Sequence, residues 1–335
     1  MKNKLGLLVA LFLAGFISIN NYAQEKLAQS GFQFLSVVSD ARASALADAM
    51  TSLENSSSAL FFNPAGMADM PTVFEITGST NKWIADIRHT TFTLAFKPMD
   101  GNYGVVGLSV QYVSYGDFYG TVVNQASPQG YDDTGIFSLN AFAVGLGYAK
   151  QLTDRFSVGG QVKYVHQDLG DSQTPLVVNG DTSKQTTSNQ LSPLAFDFGT
   201  QFRTGIKSLV FGMSVRNFSK EVKYAQEGFQ APLVFTLGIS MNVMDLVQNL
   251  PFDQSLLVTL DASHYVDHPE QLKIGLEYTV LNMISLRGGF ASHSYLGDGF
   301  SFGLGISKYG FSLDYSYTPF GIFNDVQRFT TRFSL

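Results

Sequence analysis

The sequence predicts an all-β fold: a 14-stranded antiparallel transmembrane β-barrel with a small N-terminal plug, or hatch, of helical and irregular structure. Three observations support this prediction. The first 23 residues have the order of a secretory signal peptide, the chain after Pro71 alternates with a two-residue hydrophobic period, and charged residues make up only 14% of the chain. We therefore divide the sequence into a signal peptide at 1–23, a plug at 24–71 and a transmembrane barrel at 72–335.

The composition argues against several classes of protein. Charged residues lie well below the roughly 25% of soluble globular domains. The 29 Phe and 15 Tyr residues supply the aromatic side chains that flank the membrane in outer-membrane barrels. A net charge of -6 provides no positive field for phosphates, so we expect no nucleic-acid partner. Cysteine is absent, which excludes disulfides and thiolate metal sites.

The N-terminal residues predict export through the inner membrane. Lys2 and Lys4 precede an apolar run from Leu5 to Ile19, and a polar stretch then leads to Ala23, after which we expect cleavage. At about 15 residues this run is short for a membrane-spanning helix of roughly 20, so an uncleaved anchor is the less favoured alternative. No later segment has the roughly 18 uninterrupted apolar residues that helical insertion needs.

The plug region does not alternate. The Ala-rich run from Ser39 to Met50 predicts a short helix with Ser39 or Asp40 as its N-cap. Polar residues at 55–58 end that helix, and a compact, turn-rich unit follows over 59–68. Because a barrel of this strand number has a lumen too wide for its own side chains to fill, we expect the plug to occupy it.

The barrel strands are predicted from alternation. In the clearest segment, Leu272 to Val280, apolar residues alternate with Lys, Gly, Glu and Thr. The last strand places Phe329, Phe333 and Leu335 on one face, as expected of a strand that closes against the first. The same template predicts strands at 72–80, 90–97, 104–115, 138–149, 156–168, 192–203, 207–218, 231–243, 255–265, 270–280, 283–292, 299–308, 310–318 and 326–335.

The predicted connections alternate between long external loops and short periplasmic turns, as outer-membrane barrels require. The long ones follow the first, third, fifth and seventh strands, at 81–89, 116–137, 169–191 and 219–230. Two connections depart from the pattern, because 244–254 is long for a periplasmic turn and 266–269 is short for an external loop.

The two faces of the predicted sheet follow from the solvent. In lipid every backbone polar group must be paired, so the sheet must close and turn its apolar face outward. A soluble sandwich also alternates, but the signal sequence, the scarcity of charge and the recurring Phe and Tyr residues disfavour it. We expect the charges on the inner face to pair with one another and with the plug. The alternative is that they set ion or substrate selectivity across the lumen. The predicted lumen-facing charged residues are Lys163, Asp197, Arg203, Arg216, Asp261, Lys273, Glu277, Arg287, Asp314, Arg328 and Arg332.

The plug motifs resemble those of a known family. The run from Ser39 to Met50, the segment Glu54 to Ala59 and the segment Phe61 to Ala68 look like the hatch of PorV/PorQ proteins, within the FadL-like barrel superfamily. The resemblance implies a 14-stranded barrel in the outer membrane of a Gram-negative bacterium of the Bacteroidota. The motif residues that carry it are Asp40, Arg42, Asn63, Pro64, Ala65 and Gly66.

Catalysis is not indicated. His264, Asp267 and His268 combine side chains that suit divalent ions, but such spacing is common in polar loops. The five His residues are scattered over the chain, and no phosphate-binding Gly-rich loop is followed by a helix. We therefore expect neither an enzyme nor a bound metal or cofactor.

Two functions remain open. The resemblance implies a component of type IX protein secretion that binds secretion-system subunits or the C-terminal domains of cargo, through the external loops at 116–137, 169–191 and 219–230. FadL-like architecture alone suggests instead a channel for a hydrophobic ligand, opened by a shift of the plug around Asn63 and Pro64. The lumen discriminates between them, because an apolar pocket favours uptake and a tightly filled polar lumen favours partner binding.

Overall fold

The computed structural model describes residues 30–53, 56–178, 181–224, 228–247, 252–292, 299–321 and 325–335, with the backbone alone over 174–178 and 181–184. The predicted signal peptide at 1–23 lies outside the described residues. So do the first plug residues, 24–29, and Glu54 and Asn55 of the motif region.

Within this part of the chain the backbone forms seventeen strands. They are β1 (Phe74–Lys82), β2 (Arg88–Phe96), β3 (Val105–Val123), β4 (Tyr131–Thr153), β5 (Phe156–Val178), β6 (Asp181–Leu191), β7 (Leu194–Arg203), β8 (Val210–Ser219), β9 (Val222–Lys223), β10 (Gly228–Phe229), β11 (Val234–Asn242), β12 (Gln254–Tyr265), β13 (Gln271–Val280), β14 (Ile284–Ala291), β15 (Phe300–Lys308), β16 (Phe311–Thr318) and β17 (Val326–Ser334).

Fourteen of these strands close into one antiparallel barrel. Each pairs with its neighbour along the chain, except that β5 pairs with β7 and β8 pairs with β11 around the extra strands of the loops. The last strand, β17, closes the barrel against β1, with Ile76 opposite Phe333. The predicted 14-stranded antiparallel barrel is therefore confirmed.

Two of the predicted loops are wrong. Residues 116–137 and 169–191 are mostly strand, because β3 and β4 continue as a two-stranded ribbon beyond the barrel rim, as do β5 and β6. We call these the β3–β4 ribbon and the β5–β6 ribbon. Their Thr, Tyr and Val residues favour extended backbone, and a hairpin satisfies its own hydrogen bonds without a barrel neighbour. The third predicted loop, 219–230, holds the small β9–β10 hairpin.

The barrel turns its apolar face outward. Along β15, the side chains of Phe302, Leu304 and Ile306 are each more than half exposed. Ser301, which precedes Phe302 and points to the other face, is buried. The inner face carries Ser, Thr, Gly and charged side chains, which contact residues 30–71. We call residues 30–71 the inner segment.

The inner segment is built from short turns. It contains a five-residue α-helix, α1 (Ala41–Ala45), and 3-10 helices at Gln33–Ser36, Ser57–Phe61 and Pro64–Met67. The predicted helix over Ser39–Met50 is thus too long, because Ala47 and Asp48 adopt left-handed backbone conformations that end it. None of the helices in the described residues is long and apolar enough to cross a membrane.

Candidate functional site

The first part of the inner segment is anchored on β15 to β17. Asp40 caps α1, since its Oδ1 accepts a hydrogen bond from the Ala43 backbone N–H at 2.8 Å. The first helical N–H, of Ala41, donates to Thr330 Oγ1 on β17. Ser301 on β15 donates to the Ala45 carbonyl at 3.2 Å. Capping and wall contacts together fix a helix that is too short to be stable alone.

Arg42 joins the helix to a buried charge network on the wall. Its Nε and Nη2 donate to the two oxygens of Glu277 on β13, each at 2.8 Å. Arg287 on β14 donates to Glu277 Oε2 at 2.5 Å and to Asp314 Oδ1 on β16 at 2.6 Å. Two arginines and two carboxylates thus alternate in one chain of charge-assisted bonds, with no excess charge.

The following turn, 46–53, exposes backbone groups that the wall satisfies. Thr259 on β12 donates to the Ala49 carbonyl at 2.8 Å, and Asp261 on the same strand accepts from the Thr51 N–H at 3.0 Å. Ser240 on β11 donates to the carbonyl of Ser52 at 3.3 Å. These bonds explain how irregular backbone is tolerated at membrane depth.

Asn63 is the polar centre of the second plug motif. Its Oδ1 accepts from the Ala65 N–H at 3.1 Å and caps the 3-10 helix that begins at Pro64. Its Nδ2 donates to the carbonyl of Thr51 at 2.7 Å and to that of Thr200 on β7 at 3.1 Å. One side chain therefore ties two turns of the inner segment to the wall.

Replacing Asn63 by alanine is expected to destabilise the folded barrel by about 1–2 kcal/mol, because the cap and both donated bonds are lost. The cost stays moderate because Gln201 still donates to the Thr51 carbonyl. Urea unfolding of the purified protein in detergent measures the loss. An unchanged midpoint would show that the Asn63 contacts do not stabilise the fold.

The close approach of segment and wall depends on inward glycines. A Cβ at Gly66 would lie 2.7 Å from the carbonyl oxygen of Leu53. On the wall, eight inward glycines form four pairs, and the two members of each pair face each other across neighbouring strands. A Cβ added to any of the eight would lie within 3 Å of an atom of the inner segment, and at Gly159 and Gly289 that atom is a backbone nitrogen. We call these eight the glycine girdle: Gly107 with Gly147, Gly159 with Gly199, Gly212 with Gly238, and Gly275 with Gly289.

The remaining contacts complete a ring around the segment. The Ser57 N–H donates to Glu75 on β1 at 2.7 Å, and the Ser57 hydroxyl shares a hydrogen bond of 2.8 Å with Thr93 on β2. The two later 3-10 helices contact β3, β4 and β5. Through hydrogen bonds and packing, the inner segment touches all fourteen barrel strands.

The other charges on the inner face also contact the segment or each other. Lys163 pairs with Asp197 at 2.8 Å, and Arg216 donates to the carbonyl of Phe61 at 2.6 Å. Arg203 pairs with Asp69 at the periplasmic end. Lys273 lies 3.5 Å from Asp48.

Two arginines of β17 contact the segment differently. Arg332 lies 3.6 Å from Glu75 and 3.9 Å from Asp40, so it faces carboxylates on both wall and segment. Arg328 donates to the carbonyl of Val38 at 2.8 Å and to Thr318 Oγ1 at 3.0 Å, and no carboxylate of the described residues lies within ion-pair distance of it. All eleven predicted charges thus face the lumen. Eight of them lie within ion-pair distance of an opposite charge, Arg216 and Arg328 donate to carbonyls of the inner segment, and Asp261 accepts from the Thr51 N–H.

Several contact residues were not expected from the sequence. Glu75 and Gln201 hold segment backbone, and Trp83 packs over Arg328 with its ring centroid 5.5 Å from the guanidinium carbon. The only sequence signal for these residues is a polar side chain at an inward position of a predicted strand. The glycine girdle has a clearer signal, since its members share the inward phase of their strands.

At the external end the segment is tied to the connection after β12. Asp267 accepts hydrogen bonds from Ser30 and, at 2.8 Å, from Gln33, and His268 Nδ1 lies 2.5 Å from its other oxygen. His264 pairs instead with Glu270 at 3.2 Å. Within the described ranges, no three His, Cys, Asp or Glu residues gather as metal ligands would.

Burial raises the pKa of the Asp267 carboxyl, but hydrogen bonds from Ser30, His268 and Gln33 outweigh it and leave the pKa below its usual value. The carboxylate therefore adds stability above the unfolded-state pKa of about 3.9, and this contribution is lost as the pH falls through the lower folded-state pKa. Asp267→Asn at pH 7 is expected to loosen residues 30–36 by about 1 kcal/mol, measured as faster amide hydrogen exchange. Equal exchange in both proteins would contradict this role.

One stretch has the spacing of a serine-hydrolase motif. Gly299 to Gly303 reads Gly-Phe-Ser-Phe-Gly. Its serine, Ser301, lies inside β15 and donates to the Ala45 carbonyl, whereas a nucleophile elbow needs a sharp turn between strand and helix. The motif therefore serves the packing of α1 here.

Cavities in the lumen are small or open to the external end. A cavity of about 30 Å³ between Phe62, Gln111 and Lys163 has room for little more than water. A larger one, of about 380 Å³, lies at the external end of the lumen beside Trp83 and Arg328. The inner segment fills the rest of the lumen and packs against the wall through hydrogen bonds and through buried apolar clusters, such as Leu60 and Met67 with Val105.

Comparison with known proteins agrees with this geometry. A family model described as "Type IX secretion system membrane protein PorP/SprF" matches residues 130–323, more than half of the chain. No curated protein matches the chain in sequence at a significant level.

Solved structures share the fold at low identity. The toluene transporter TbuX of Ralstonia pickettii superposes with a TM-score of 0.58 at 13% identity, covering 92% of this chain and 99% of its own. The toluene transporter TodX of Pseudomonas putida gives 0.55 at 12% identity, covering 92% and 98%. A FadL homologue of Pseudomonas aeruginosa gives 0.52 at 12% identity, covering 88% and 98%. These likenesses establish a FadL-like barrel fold.

Proposed function

The chain belongs to the PorP/SprF family of type IX secretion system membrane proteins, and from this premise we propose that it acts as a closed, non-enzymatic docking barrel in the outer membrane. Its partners are secretion-system subunits or the C-terminal domains of cargo, bound at the external end. The observation that carries the proposal is the inner segment, which touches all fourteen strands and leaves the projecting ribbons as the accessible surface.

The proposal assigns one role to each part of the chain. Residues 1–23 direct export and are removed, residues 24–71 form the plug, and residues 72–335 form the barrel. The match to the PorP/SprF family begins at residue 130 and does not include the plug motifs, so the closer resemblance of those motifs to PorV/PorQ proteins stays a prediction.

The filled lumen supports docking over passage. Arg42, Asn63 and Asp261 each form hydrogen bonds between segment and wall, and moving the segment would break these bonds together. Uptake of hydrophobic molecules, as the titles of the TbuX and TodX structures describe for those proteins, would need such a movement. We therefore propose uptake of hydrophobic molecules only as the second candidate function.

The external surface has the features of a binding site. Phe118 and Phe137 stack at 5.8 Å on the β3–β4 ribbon, and beside them Tyr119 and Ile136 are strongly exposed. A groove of about 940 Å³ opens at the base of the two ribbons, between Tyr115, Leu169 and Phe229 among other residues. Exposed aromatic residues beside a groove mark protein–protein contacts.

Removing the β3–β4 ribbon tests the proposal. Replacement of residues 116–138 by Asn-Gly joins Tyr115 to Leu139 by a two-residue hairpin and leaves the pairing of β3 with β2 and of β4 with β5 intact. We expect a folded barrel that no longer retains its secretion partner in a mild-detergent purification from outer membranes. Tyr309→Ser, an exposed side chain at a periplasmic turn, is the control. Retention of the same partner by the shortened protein would refute docking on this ribbon.

A further inference from the structure

The cavity of about 380 Å³ at the external end lies between the inner segment and the barrel wall, and we call it the outer pocket. The inner segment contributes Val37 and Val38, and the wall contributes Lys273 and Arg328. Trp83 and Phe320 close one side. This volume lies at the lower end of the range for small-molecule sites.

One end of the outer pocket is lined by aromatic rings. The rings of Trp83 and Phe320 meet edge to face with centroids 4.9 Å apart. Arg328 packs against the same indole, with its guanidinium carbon 5.5 Å from the ring centroid. An aromatic surface and a cation are thus presented side by side, an arrangement that suits an anion with an apolar body.

The charges of the outer pocket do not balance. Lys273 pairs with Asp48 at 3.5 Å and with the hydroxyl of Tyr265 at 3.0 Å. Arg328 is only 4% exposed, yet its hydrogen bonds go to two neutral acceptors, the Val38 carbonyl and Thr318 Oγ1. Within the described residues no carboxylate lies within ion-pair distance of it, unlike Arg42 and Arg287.

A buried guanidinium without a carboxylate is costly, and a bound anion offsets that cost. Arg328 uses two of its five N–H groups in these bonds, so donors remain for a carboxylate in the pocket. The lining carboxylate Asp48 pairs with Lys273 at 3.5 Å and attracts Arg328 only from beyond ion-pair distance. Of the lining residues Asp48, Lys273 and Arg328, the first two pair with each other, so the net charge of the three is positive and is carried by Arg328.

We propose that the outer pocket binds an organic carboxylate with a small aromatic or branched apolar body, its carboxylate at Arg328 and its apolar part against Trp83 and Phe320. A free small acid and the C-terminal carboxylate of a polypeptide share this chemistry. The proposal does not depend on the role of the chain in secretion.

Trp83 is the single tryptophan of the chain, so intrinsic fluorescence reports directly on the outer pocket. The purified full-length barrel is titrated with 3-phenylpropionate and with its neutral amide, 3-phenylpropionamide. A second pair of probes is N-acetyl-alanyl-phenylalanine with a free or an amidated C-terminus. In at least one pair we expect a saturable change in fluorescence, with an apparent Kd for the acid at least tenfold lower than that for the matching amide. If 3-phenylpropionate binds more tightly than the dipeptide acid, the ligand is a free small acid. If the dipeptide acid binds more tightly, the ligand is the C-terminus of a polypeptide.

Arg328→Gln is expected to weaken binding of the acid at least tenfold and to leave binding of the amide unchanged. Lys308→Gln, an exposed lysine at the other end of the barrel, is the control and should bind like the unaltered protein. Heat-modifiable gel mobility checks that each variant is folded. Should Arg328→Gln not fold, the comparison of acid and amide in the unaltered protein decides. Equal affinity for acid and amide in both pairs, or an Arg328→Gln variant that binds the acid normally, would overturn the proposal.

Discussion

Replacing Glu277 by glutamine is expected to lower the free energy of unfolding by about 3–5 kcal/mol, because breaking a buried ion pair leaves an uncompensated charge. Glu277 is 8% exposed and accepts from Arg42 at two atoms and from Arg287. Arg287 keeps Asp314 in the variant, but Arg42 would face a neutral amide. Urea unfolding followed by Trp83 fluorescence and by gel mobility measures the change.

The matched control is Glu270→Gln. Glu270 is exposed and lies 3.2 Å from His264, in a pair that solvent screens. Its loss should change stability by no more than about 1 kcal/mol. If Glu277→Gln cost as little as the control, the charge network would not be what anchors α1 to the wall.

The second large effect is expected at Gly289, in the glycine girdle. An alanine Cβ there would lie 2.5 Å from the backbone nitrogen of Ala47 and 2.6 Å from the carbonyl carbon of Leu46. Because backbone cannot rotate away as a side chain can, we expect Gly289→Ala to destabilise the barrel by about 3 kcal/mol, the upper end of typical overpacking costs. The measurement is the same urea transition.

Its neighbour Gly288 provides the control. Gly288 points to the outer face, opposite Leu276 and Phe302, and its nearest atom to an added Cβ is the Ser301 carbonyl oxygen at 4.0 Å. Gly288→Ala should therefore leave stability unchanged or slightly raised. Similar losses for the two alanine variants would mean that strand flexibility, and not contact with the inner segment, requires glycine here.

The barrel itself was predictable because few backbone structures can cross a lipid bilayer with every polar group paired. Alternation over Leu272–Val280 predicts a strand, and β13 runs from Gln271 to Val280. The strand count followed from the number of alternating segments, and closure followed from the requirement that every backbone polar group be paired in lipid. Side-chain period alone also placed Lys273 and Glu277 on the inner face, where the structure has them.

The ribbons and the segment's path were less predictable. Alternation weakens beyond the membrane because both faces of the β3–β4 ribbon meet water, so residues 116–137 look like loop in the sequence. The helix over Ser39–Met50 was overestimated because Ala47 and Asp48 adopt left-handed backbone conformations, and the Asp48 N–H bonds back to the Ala43 carbonyl, which ends the helix despite the helix propensity of the alanines. Arg42 and Glu277 are 235 residues apart, and no local pattern pairs them.

The glycine girdle was predictable only in part, because alternation gives the inward face of each glycine but not the strand register. Gly275 and Gly289 look like ordinary small residues of two strands until their register places them side by side. Register depends on the turn between β13 and β14, at 281–283, which the alternation pattern alone leaves undefined.

The most direct test of the docking account is purification of the tagged protein from native outer membranes in mild detergent, with mass spectrometry of bound proteins and lipid extraction of the same sample. The account predicts recovery of type IX secretion subunits or of secreted proteins through their C-terminal domains. A barrel that carries no protein partner but retains stoichiometric fatty acid or hydrocarbon would contradict it and favour uptake.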